Sequence, residues 1–228
     1  MKKLILLLLA AAVATTAAAQ AQRDTLTFNN DYYFSKRNVE ELVPVTGQNI
    51  VMLGNSLTER GFWAEYFQGK RVLNRGIGGD CISGMINRVQ PIVDGRPKAI
   101  FIMGGANDIF LTGSDLRARA DLGALVHQSV AAGIRPMLGL PIPLSPALVP
   151  PPWTELTDFF ALEPVFRAYR DWLLRFAGIF RIQTVDFSLP AFAPPEGMRL
   201  YLDGLHPNRE GHRLMADALC AALPPIHL

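Results

Sequence analysis

A serine in the first third of the chain and an Asp-x-x-His sequence near its end carry the side chains of a possible catalytic triad. Ser56 lies shortly after the apolar run 50–53, and Asp203 lies three residues before His206. Covalent hydrolysis of an ester requires a nucleophile, a base that takes its proton and a group that orients the base. These three side chains are of the right types for those roles.

The position of Ser56 also has a simpler explanation. The run 50–53 reads as a short buried strand, and Gly-Asn-Ser then leads into a helix-like segment. A serine at the start of a helix is often only its N-cap. On local sequence alone the cap interpretation is favoured over a nucleophile, so the case for chemistry depends on the rest of the chain.

The residues between these motifs predict five strands that alternate with helices. The strands are predicted at 50–53, 71–74, 98–103, 135–140 and 180–185. The helices are predicted over 57–67, over 81–93, from Ser114 or Asp115 to 132, from a first turn containing Pro164 to 178, and after the cap Asn208. This order predicts an α/β fold, a three-layer α/β/α sandwich with a central five-stranded parallel sheet and right-handed crossovers.

Such a sheet gathers the polar motifs at one edge. In open α/β sheets, ligands bind outside the carboxyl ends of the strands, and helix starts there offer N–H groups to negative charge. Four groups of residues are expected at that edge: Ser56, Gly76–Asp80, Gly105–Asp108, and Asp203 with His206. Together they supply candidates for the nucleophile, the base, its orienting group and the oxyanion donors.

Four segments, taken in order, resemble the four sequence blocks of the SGNH, or GDSL, hydrolases. They are Gly54-Asn55-Ser56-Leu57, Asn74-Arg75-Gly76-Ile77-Gly78-Gly79-Asp80, Gly105-Ala106-Asn107-Asp108 and Asp203-Gly204-Leu205-His206. One block alone is a weak signal, whereas four in the family's order, spanning about two thirds of the chain, form a strong one. The resemblance implies a flavodoxin-like α/β/α domain and a serine esterase that needs no cofactor and no metal.

The same resemblance implies a role for each matching residue. Ser56 matches the nucleophile, His206 the base and Asp203 the carboxylate that holds the imidazole. The backbone N–H of Gly79 and the side-chain amide of Asn107 match the oxyanion hole, which the Ser56 N–H would complete. One residue departs from the pattern, because Asn55 stands where the family usually has Asp.

Other interpretations of these segments fail on single residues. Gly54–Thr58 lacks the last glycine of the G-x-S-x-G elbow, in which Asp186 would be the acid. Gly76–Cys81 lacks the last glycine of G-x-G-x-x-G, and no Walker lysine motif is present. We interpret Asp186 as a cap at a strand end.

The remaining acids and histidines have structural interpretations. Asp80 and Asp108 could be imagined as metal ligands beside His206, but turn or cap roles explain them better. The other histidines are interpreted as structural or solvated; they are His127, His212 and His227.

The first residues, the net charge and the cysteines limit the classes of protein to which this chain can belong. Residues 1–21 combine a basic start, a short apolar run and an Ala-x-Ala exit, which predicts a signal peptide followed by one domain over 22–228. Without Lys2 and Lys3, basic and acidic residues balance, so nothing indicates binding to nucleic acid or stable insertion in a membrane. Cys81 and Cys220 are interpreted as separate buried thiols, although export permits a disulfide.

These observations predict a secreted or periplasmic esterase that removes short acyl groups. The blocks are most similar to the branch that contains platelet-activating-factor acetylhydrolase-like enzymes and carbohydrate acetylesterases, which implies an O-acetyl substrate on a glycan such as sialic acid or a polysaccharide. The stiff, proline-rich loop Pro141–Trp153 is expected to form one wall of the site, with Trp153 either stacking on a sugar or anchoring the loop. The alternatives are a lysophospholipase or thioesterase of the family, and an inactive glycan-binding domain.

Overall fold

The computed structural model describes residues 31–67, 69–151 and 153–222. The predicted signal peptide, 1–21, and His227 lie outside these residues, so both remain predictions. The single domain predicted over 22–228 likewise remains a prediction.

The central element is a parallel sheet whose strand order brings the first and third strands together. The strands are β1 Asn49–Gly54, β2 Arg71–Gly76, β3 Ala99–Met103, β4 Arg135–Leu140 and β5 Gln183–Asp186. All neighbours pair in parallel, in the order β2-β1-β3-β4-β5. The predicted five-stranded parallel sheet is therefore confirmed, and its order is the flavodoxin-like one.

Helices cover both faces of this sheet. They are α1 Asp31–Glu41, α2 Ser56–Glu59, α3 Trp63–Tyr66, α4 Ile82–Asn87, α5 Gln90–Asp94, α6 Ala106–Thr112, α7 Leu116–Ala131, α8 Trp153–Leu156, α9 Phe159–Phe180 and α10 Arg209–Ala222. Short 3₁₀ turns occur at Pro146–Leu148, Pro190–Phe192 and Glu196–Leu200. The predicted α/β/α sandwich is confirmed.

Alternating side chains of β1 divide the core into two. Val51 and Leu53 pack in a cluster with residues of α4, α7 and α9. Ile50 and Met52 point to the other face and join a cluster that includes Leu57, Trp63 and residues of α10. Successive strand residues face opposite sides of a sheet, so a strand buried on both faces must be apolar throughout.

The single helix predicted over 57–67 is wrong, because the segment forms α2 and α3 with a break between them. The side-chain amide of Asn74 donates hydrogen bonds to the carbonyls of Thr58, Glu59 and Gly61, at 3.0, 3.1 and 3.0 Å. The indole of Trp63 also donates to the Thr58 carbonyl, at 2.6 Å. The side chains of Asn74 and Trp63 thus supply hydrogen-bond donors to the last carbonyls of α2, so α2 can end there without unpaired carbonyl groups.

The helix predicted over 81–93 also divides, into α4 and α5. Pro91 has no N–H with which to continue the helical ladder across the junction. Arg88 lies at that junction as the C-terminal cap of α4, with its side chain buried. Its guanidinium donates hydrogen bonds to the carbonyls of Arg75 and Gly54, at the carboxyl ends of β2 and β1.

Three helices were missed, among them α8 at the end of the proline-rich loop, and a fourth helix begins earlier than predicted. α1 lies in a segment for which no helix was predicted, and the Tyr33 hydroxyl on it donates a hydrogen bond to the Gly84 carbonyl at 2.8 Å. α6 follows β3 directly. α9 begins well before Pro164 because the Asp158 side chain accepts hydrogen bonds from the N–H groups of Phe160 and Ala161.

The cysteines are both free, with Cys81 buried and Cys220 exposed. Separate thiols are thus confirmed, whereas the buried position predicted for Cys220 is wrong. Within the described ranges, no helix is both long and apolar enough to span a bilayer.

Candidate active site

The candidate site lies where the sheet reverses its direction of winding. β1 lies between β2 and β3, and the segments after β1 and β3 pack on opposite faces of the sheet. This arrangement opens a crevice at the carboxyl ends of β1 and β3. Ser56 follows β1 and Asn107 follows β3, so both lie at that crevice.

Three side chains from the two ends of the described chain form one hydrogen-bonded line. The Ser56 hydroxyl lies 2.9 Å from Nε2 of His206. The other ring nitrogen, Nδ1, lies 2.8 Å from Oδ2 and 3.0 Å from Oδ1 of Asp203. If the Asp203 carboxylate accepts the Nδ1 proton, Nε2 is left as an acceptor for the hydroxyl proton of Ser56.

The loop that carries Asp203 and His206 is held by its own backbone. Oδ1 of Asp203 accepts the N–H groups of Leu205 and His206, at 3.1 and 2.7 Å. The His206 carbonyl accepts the Leu202 N–H at 2.8 Å. The carboxylate is therefore fixed before it meets the imidazole, which is then held in one orientation.

Ser56 is the first residue of α2, and the cap of that helix is Asn55. The Asn55 side chain is buried and accepts the Leu57 N–H at 3.1 Å. The interpretation of Ser56 as the N-cap is therefore wrong, and its hydroxyl is free for another partner. The Ser56 N–H stands in the first helical turn, where a helix offers it no internal acceptor.

Gly79 lies in a tight turn at the edge of the same crevice. The Asp80 N–H donates to the Ile77 carbonyl at 3.1 Å, which closes the turn. Gly79 has a φ of 78°, in the left-handed region that favours glycine. Its backbone lines the cavity that also contains Ser56 and His206.

Asn107 is placed by a close approach between α6 and α9. Gly105 has a φ of 102°, and a Cβ atom there would lie 2.5 Å from the ring of Tyr169. The Tyr169 hydroxyl donates to the Gly104 carbonyl at 3.1 Å. Nδ2 of Asn107 donates one hydrogen to the Asp80 carbonyl at 2.9 Å, which leaves its second hydrogen for a ligand.

The environment sets the charge state of the imidazole and the carboxylate. Burial lowers the pKa of His206, outweighing the opposing hydrogen bond and charge of Asp203, and Arg60 lowers it further. Burial alone would raise the pKa of Asp203, but the hydrogen bond and charge of His206 and two backbone N–H groups lower it overall. A neutral imidazole beside an ionised carboxylate is the state that a general base requires.

Beside Ser56 lies a cavity of about 360 Å³. Most of its walls are apolar, with side chains from Phe110, Leu144, Trp153, Phe159 and Phe166 among others. The proline-rich loop contributes to this wall, as predicted. Trp153 is 49% exposed at the cavity, which fits contact with a ligand better than service as a buried anchor.

The cavity also has a polar side that the sequence did not reveal. Tyr32 from α1 and Glu59 from α2 line it and are hydrogen-bonded to each other. Arg60 lines it as well, and Lys36 lies 3.1 Å from Glu59 in an ion pair. No local sequence signal marks Tyr32, because its approach depends on how α1 docks.

Asp80 and Asp108 have structural partners. Asp80 is fully buried, with Oδ2 2.9 Å from a guanidinium nitrogen of Arg88. Asp108 accepts the Ile82 N–H at 3.2 Å. Among the described residues, no group of three or more His, Cys, Asp or Glu side chains is arranged to hold a metal ion.

The other described candidates do not line the cavity that contains Ser56. His127 is exposed on α7, and His212 is half-buried on α10. Asp186 accepts the N–H and hydroxyl of Ser188, at 2.7 and 2.6 Å, just after β5. It behaves as the strand-end cap that the sequence predicts.

Comparison with known families gives one match over most of the chain. The sequence profile of the GDSL-like lipase/acylhydrolase family matches residues 52–214. The matched range contains all four sequence blocks. None of the curated proteins matches the sequence of this chain.

Solved structures give the same fold at low sequence identity. A GDSL-like lipase from Bacteroides thetaiotaomicron is 18% identical, with a TM-score of 0.68, over 83% of this chain and 96% of that one. A member of the lipolytic protein G-D-S-L family from Veillonella parvula is 21% identical, with a TM-score of 0.63, over 76% and 96%. The acetylxylan esterase Axe2 from Geobacillus stearothermophilus is 19% identical, with a TM-score of 0.61, over 78% and 94%. At these identities the likeness shows a shared fold.

Proposed function

This chain belongs to the GDSL-like lipase/acylhydrolase family of carboxylic ester hydrolases, and from that premise we propose that Ser56 is its nucleophile, His206 its general base and Asp203 the carboxylate that orients the base. The observation that carries the proposal is the line of hydrogen bonds from Ser56 to His206 and on to Asp203, at 2.9 and 2.8 Å. These distances are those of a base poised to take a hydroxyl proton.

The reaction proceeds in two halves. The Ser56 oxygen attacks the acyl carbonyl carbon while Nε2 of His206 takes the hydroxyl proton. The bond to the alcohol then breaks, and His206 gives its proton to the departing alkoxide oxygen. Water next attacks the acyl-enzyme with His206 again as base, and the acid leaves as Ser56 regains its proton.

The oxyanion of each tetrahedral intermediate accepts hydrogen bonds from three donors. These are the N–H of Ser56, the N–H of Gly79 and the free Nδ2 hydrogen of Asn107. The proposal is supported by their common place along the cavity that contains Ser56. Donors fixed before the reaction stabilise developing charge without having to reorganise.

The first experiment separates an esterase from an inactive binding domain. A fluorophosphonate probe should label the wild type at Ser56, and the wild type should hydrolyse p-nitrophenyl esters. Ser56→Ala should lose the label and several orders of magnitude of turnover, whereas Ser35→Ala, which changes an exposed serine on α1, should match the wild type. An unlabelled wild type, or full activity in Ser56→Ala, would refute the proposal.

Export to the periplasm or the medium remains part of the proposal. It is supported by the leader-like composition of residues 1–21. The mass of the protein recovered after expression with its native start should correspond to cleavage near Ala21. Retention of the whole leader in the cytoplasm would contradict export.

Two acyl groups are candidates for the substrate ester, an acetyl group and a longer chain. An O-acetyl ester on a carbohydrate is the sequence-based prediction, and the shared fold of the acetylxylan esterase from Geobacillus stearothermophilus supports it. The polar side formed by Tyr32, Glu59 and Arg60 suits a hydroxyl-rich alcohol. These observations concern the alcohol more than the acyl chain.

The cavity itself favours a longer acyl chain. At roughly 30 Å³ per water-sized group, a volume of about 360 Å³ holds on the order of a dozen such groups, and an acetyl group fills only a small part of it. Phe159 and Phe166 are buried in its wall, and Leu156 extends the apolar surface to the exterior with 76% exposure. A medium-length acyl ester of a polar alcohol is therefore the candidate that the geometry supports best.

A matched ester series decides between the two. If the chain enters the cavity, each added methylene contributes about 0.8 kcal/mol, or about fourfold in kcat/KM, until the space is filled. Trp153→Ala should flatten this dependence while leaving acetate esters nearly unchanged. Phe180→Ala, which removes an aromatic ring of similar exposure outside the cavity, serves as the control. Higher kcat/KM for acetate than for octanoate in the wild type would restore the acetyl candidate.

A further inference from the structure

One buried arginine joins the end of β1 to β2 and the turn that follows it, and these segments present two of the three proposed oxyanion donors. Nε of Arg88 donates to Oδ2 of Asp80 at 3.0 Å, and a terminal nitrogen lies 2.9 Å from the same oxygen. The terminal nitrogens also donate to the carbonyls of Arg75 at 2.7 Å and Gly54 at 3.0 Å, and to Glu40 at 3.2 Å. A guanidinium has five N–H donors, and each one here has an acceptor.

Two of these acceptors, Gly54 and Asp80, lie close in sequence to residues assigned to the chemistry. Gly54 ends β1 two positions before Ser56. Asp80 follows Gly79, and its own carbonyl accepts the Asn107 amide. The Arg88 side chain therefore connects the strand that presents the nucleophile with the turn that presents an oxyanion donor.

Burial makes these connections hard to replace. The side chain of Arg88 is 2% exposed and that of Asp80 is 0% exposed. Removing one partner of such a pair leaves the other buried without compensation, which is costly. A lysine could satisfy at most three of the five acceptor contacts and has no planar fork.

We propose that Arg88 is a positioning residue, which fixes the Gly79 N–H relative to Ser56 by holding Gly54 and Asp80 together. It acts through the backbone and does not touch the substrate. The inference rests on the proposed function, because it assigns Gly79 and Ser56 to the reaction. It adds the C-terminal cap of α4, a residue that none of the four sequence blocks includes.

Loosening this connection should affect the transition state more than substrate binding. The oxyanion forms only after attack, so misplaced donors lower kcat and leave KM nearly unchanged. A displacement on the order of 1 Å at a reacting group costs up to about 10² in rate. We therefore expect a 10-fold to 10²-fold loss of kcat in Arg88→Lys.

The test measures turnover for each competent site, which separates positioning from loss of folded protein. Titration with a fluorophosphonate counts the sites that react, and kcat is then expressed per titrated site. Arg88→Lys should lose kcat per site with little change in KM. Asp80→Asn, which keeps the shape and an acceptor oxygen, should lose it in the same direction and serves if Arg88→Lys does not fold.

Two control variants show the result expected if Arg88 stabilised the fold without positioning the site. Glu40→Gln alters only the outermost partner of Arg88 and should retain wild-type kcat per site. Arg170→Lys changes another largely buried arginine, paired with Asp186 at 3.2 Å outside the cavity, and should lower stability without lowering kcat per site.

If the folded Arg88 and Asp80 variants keep wild-type kcat per titrated site, Arg88 is only structural. If the wild type itself is not labelled at Ser56, the proposed function fails and this inference fails with it.

Discussion

Asn107 donates a side-chain hydrogen bond to the backbone carbonyl of Asp80, 2.9 Å away, and so links the start of α6 to the turn after β2. Gly79 immediately precedes Asp80. The one bond therefore holds Gly79 and Asn107, the two proposed oxyanion donors other than Ser56, at a fixed separation. It also uses only one of the two amide hydrogens, so the other is available to a reacting oxygen.

Replacement of Asn107 by Ala should remove one oxyanion donor and release the turn. Loss of a single donor of this kind costs about 10² to 10³ in kcat. The measurement is kcat per fluorophosphonate-titrated site for wild type and Asn107→Ala. Asn38→Ala, a change at an exposed position on α1 outside the cavity lining, should leave kcat per site near the wild-type value. Equal values in Asn107→Ala and wild type would remove Asn107 from the oxyanion hole.

The pH dependence of the reaction should reflect the lowered pKa of His206. Burial lowers it below the ordinary 6.5, and Arg60 adds to the effect. A general base acts when neutral, so kcat/KM should rise with pH to a plateau, with an inflection below 6.5. Arg60→Gln should move the inflection upward, since a positive charge that disfavours the imidazolium is lost. An unmoved or lower inflection in this variant would contradict the assignment.

Much of the fold and of the candidate site could be predicted from sequence, because these features depend on neighbouring residues or on short motifs. The bounds of β4 agree with its prediction, and the cap Asn208 accepts the N–H groups of Glu210 and Gly211 at the start of α10. The four blocks marked the residues that the structure brings to one cavity. Their catalytic roles remain predictions.

The features that escaped prediction depend on partners far away in the chain. The break between α2 and α3 requires Asn74, which lies on β2. The docking of α1 requires the Gly84 carbonyl, and the burial of Arg88 requires acceptors at Glu40, Gly54, Arg75 and Asp80. Propensity and periodicity describe neighbours in sequence, so they carry no signal for such contacts.

Restoration of the family's usual aspartate tests what the neutral Asn55 contributes. Asp at this position can still accept the Leu57 N–H, so the cap of α2 should be kept. The added negative charge near the Ser56–His206 pair should stabilise the imidazolium and raise the pKa of His206. Asn55→Asp should therefore shift the kcat/KM inflection upward. Asn208→Asp makes the same exchange at the cap of α10 and should leave the inflection in place.

A buried carboxyl group should make stability depend on pH in the direction opposite to ordinary acid denaturation. Burial raises the pKa of Asp108 from 3.8 to about 6, against the hydrogen bond from the Ile82 N–H, which lowers it. The folded state therefore holds this proton more tightly than the unfolded state does. Its stabilising contribution is complete below about pH 4 and is lost as the pH rises through about 6, a change on the order of 3 kcal/mol.

Asp108→Asn isolates this contribution, because an amide does not titrate and its oxygen can still accept the Ile82 N–H. The free energy of unfolding, measured by urea at pH 4, 5, 6 and 7, should fall more steeply with rising pH in the wild type than in Asp108→Asn. Asp203 and His206 act in the other direction, since their lowered pKa values reduce stability as the pH falls. They are present in both proteins, so their effect cancels in the difference. Asp171→Asn, at an exposed position on α9, should follow the wild-type curve, and parallel curves for wild type and Asp108→Asn would show that Asp108 does not bind its proton more tightly in the folded protein.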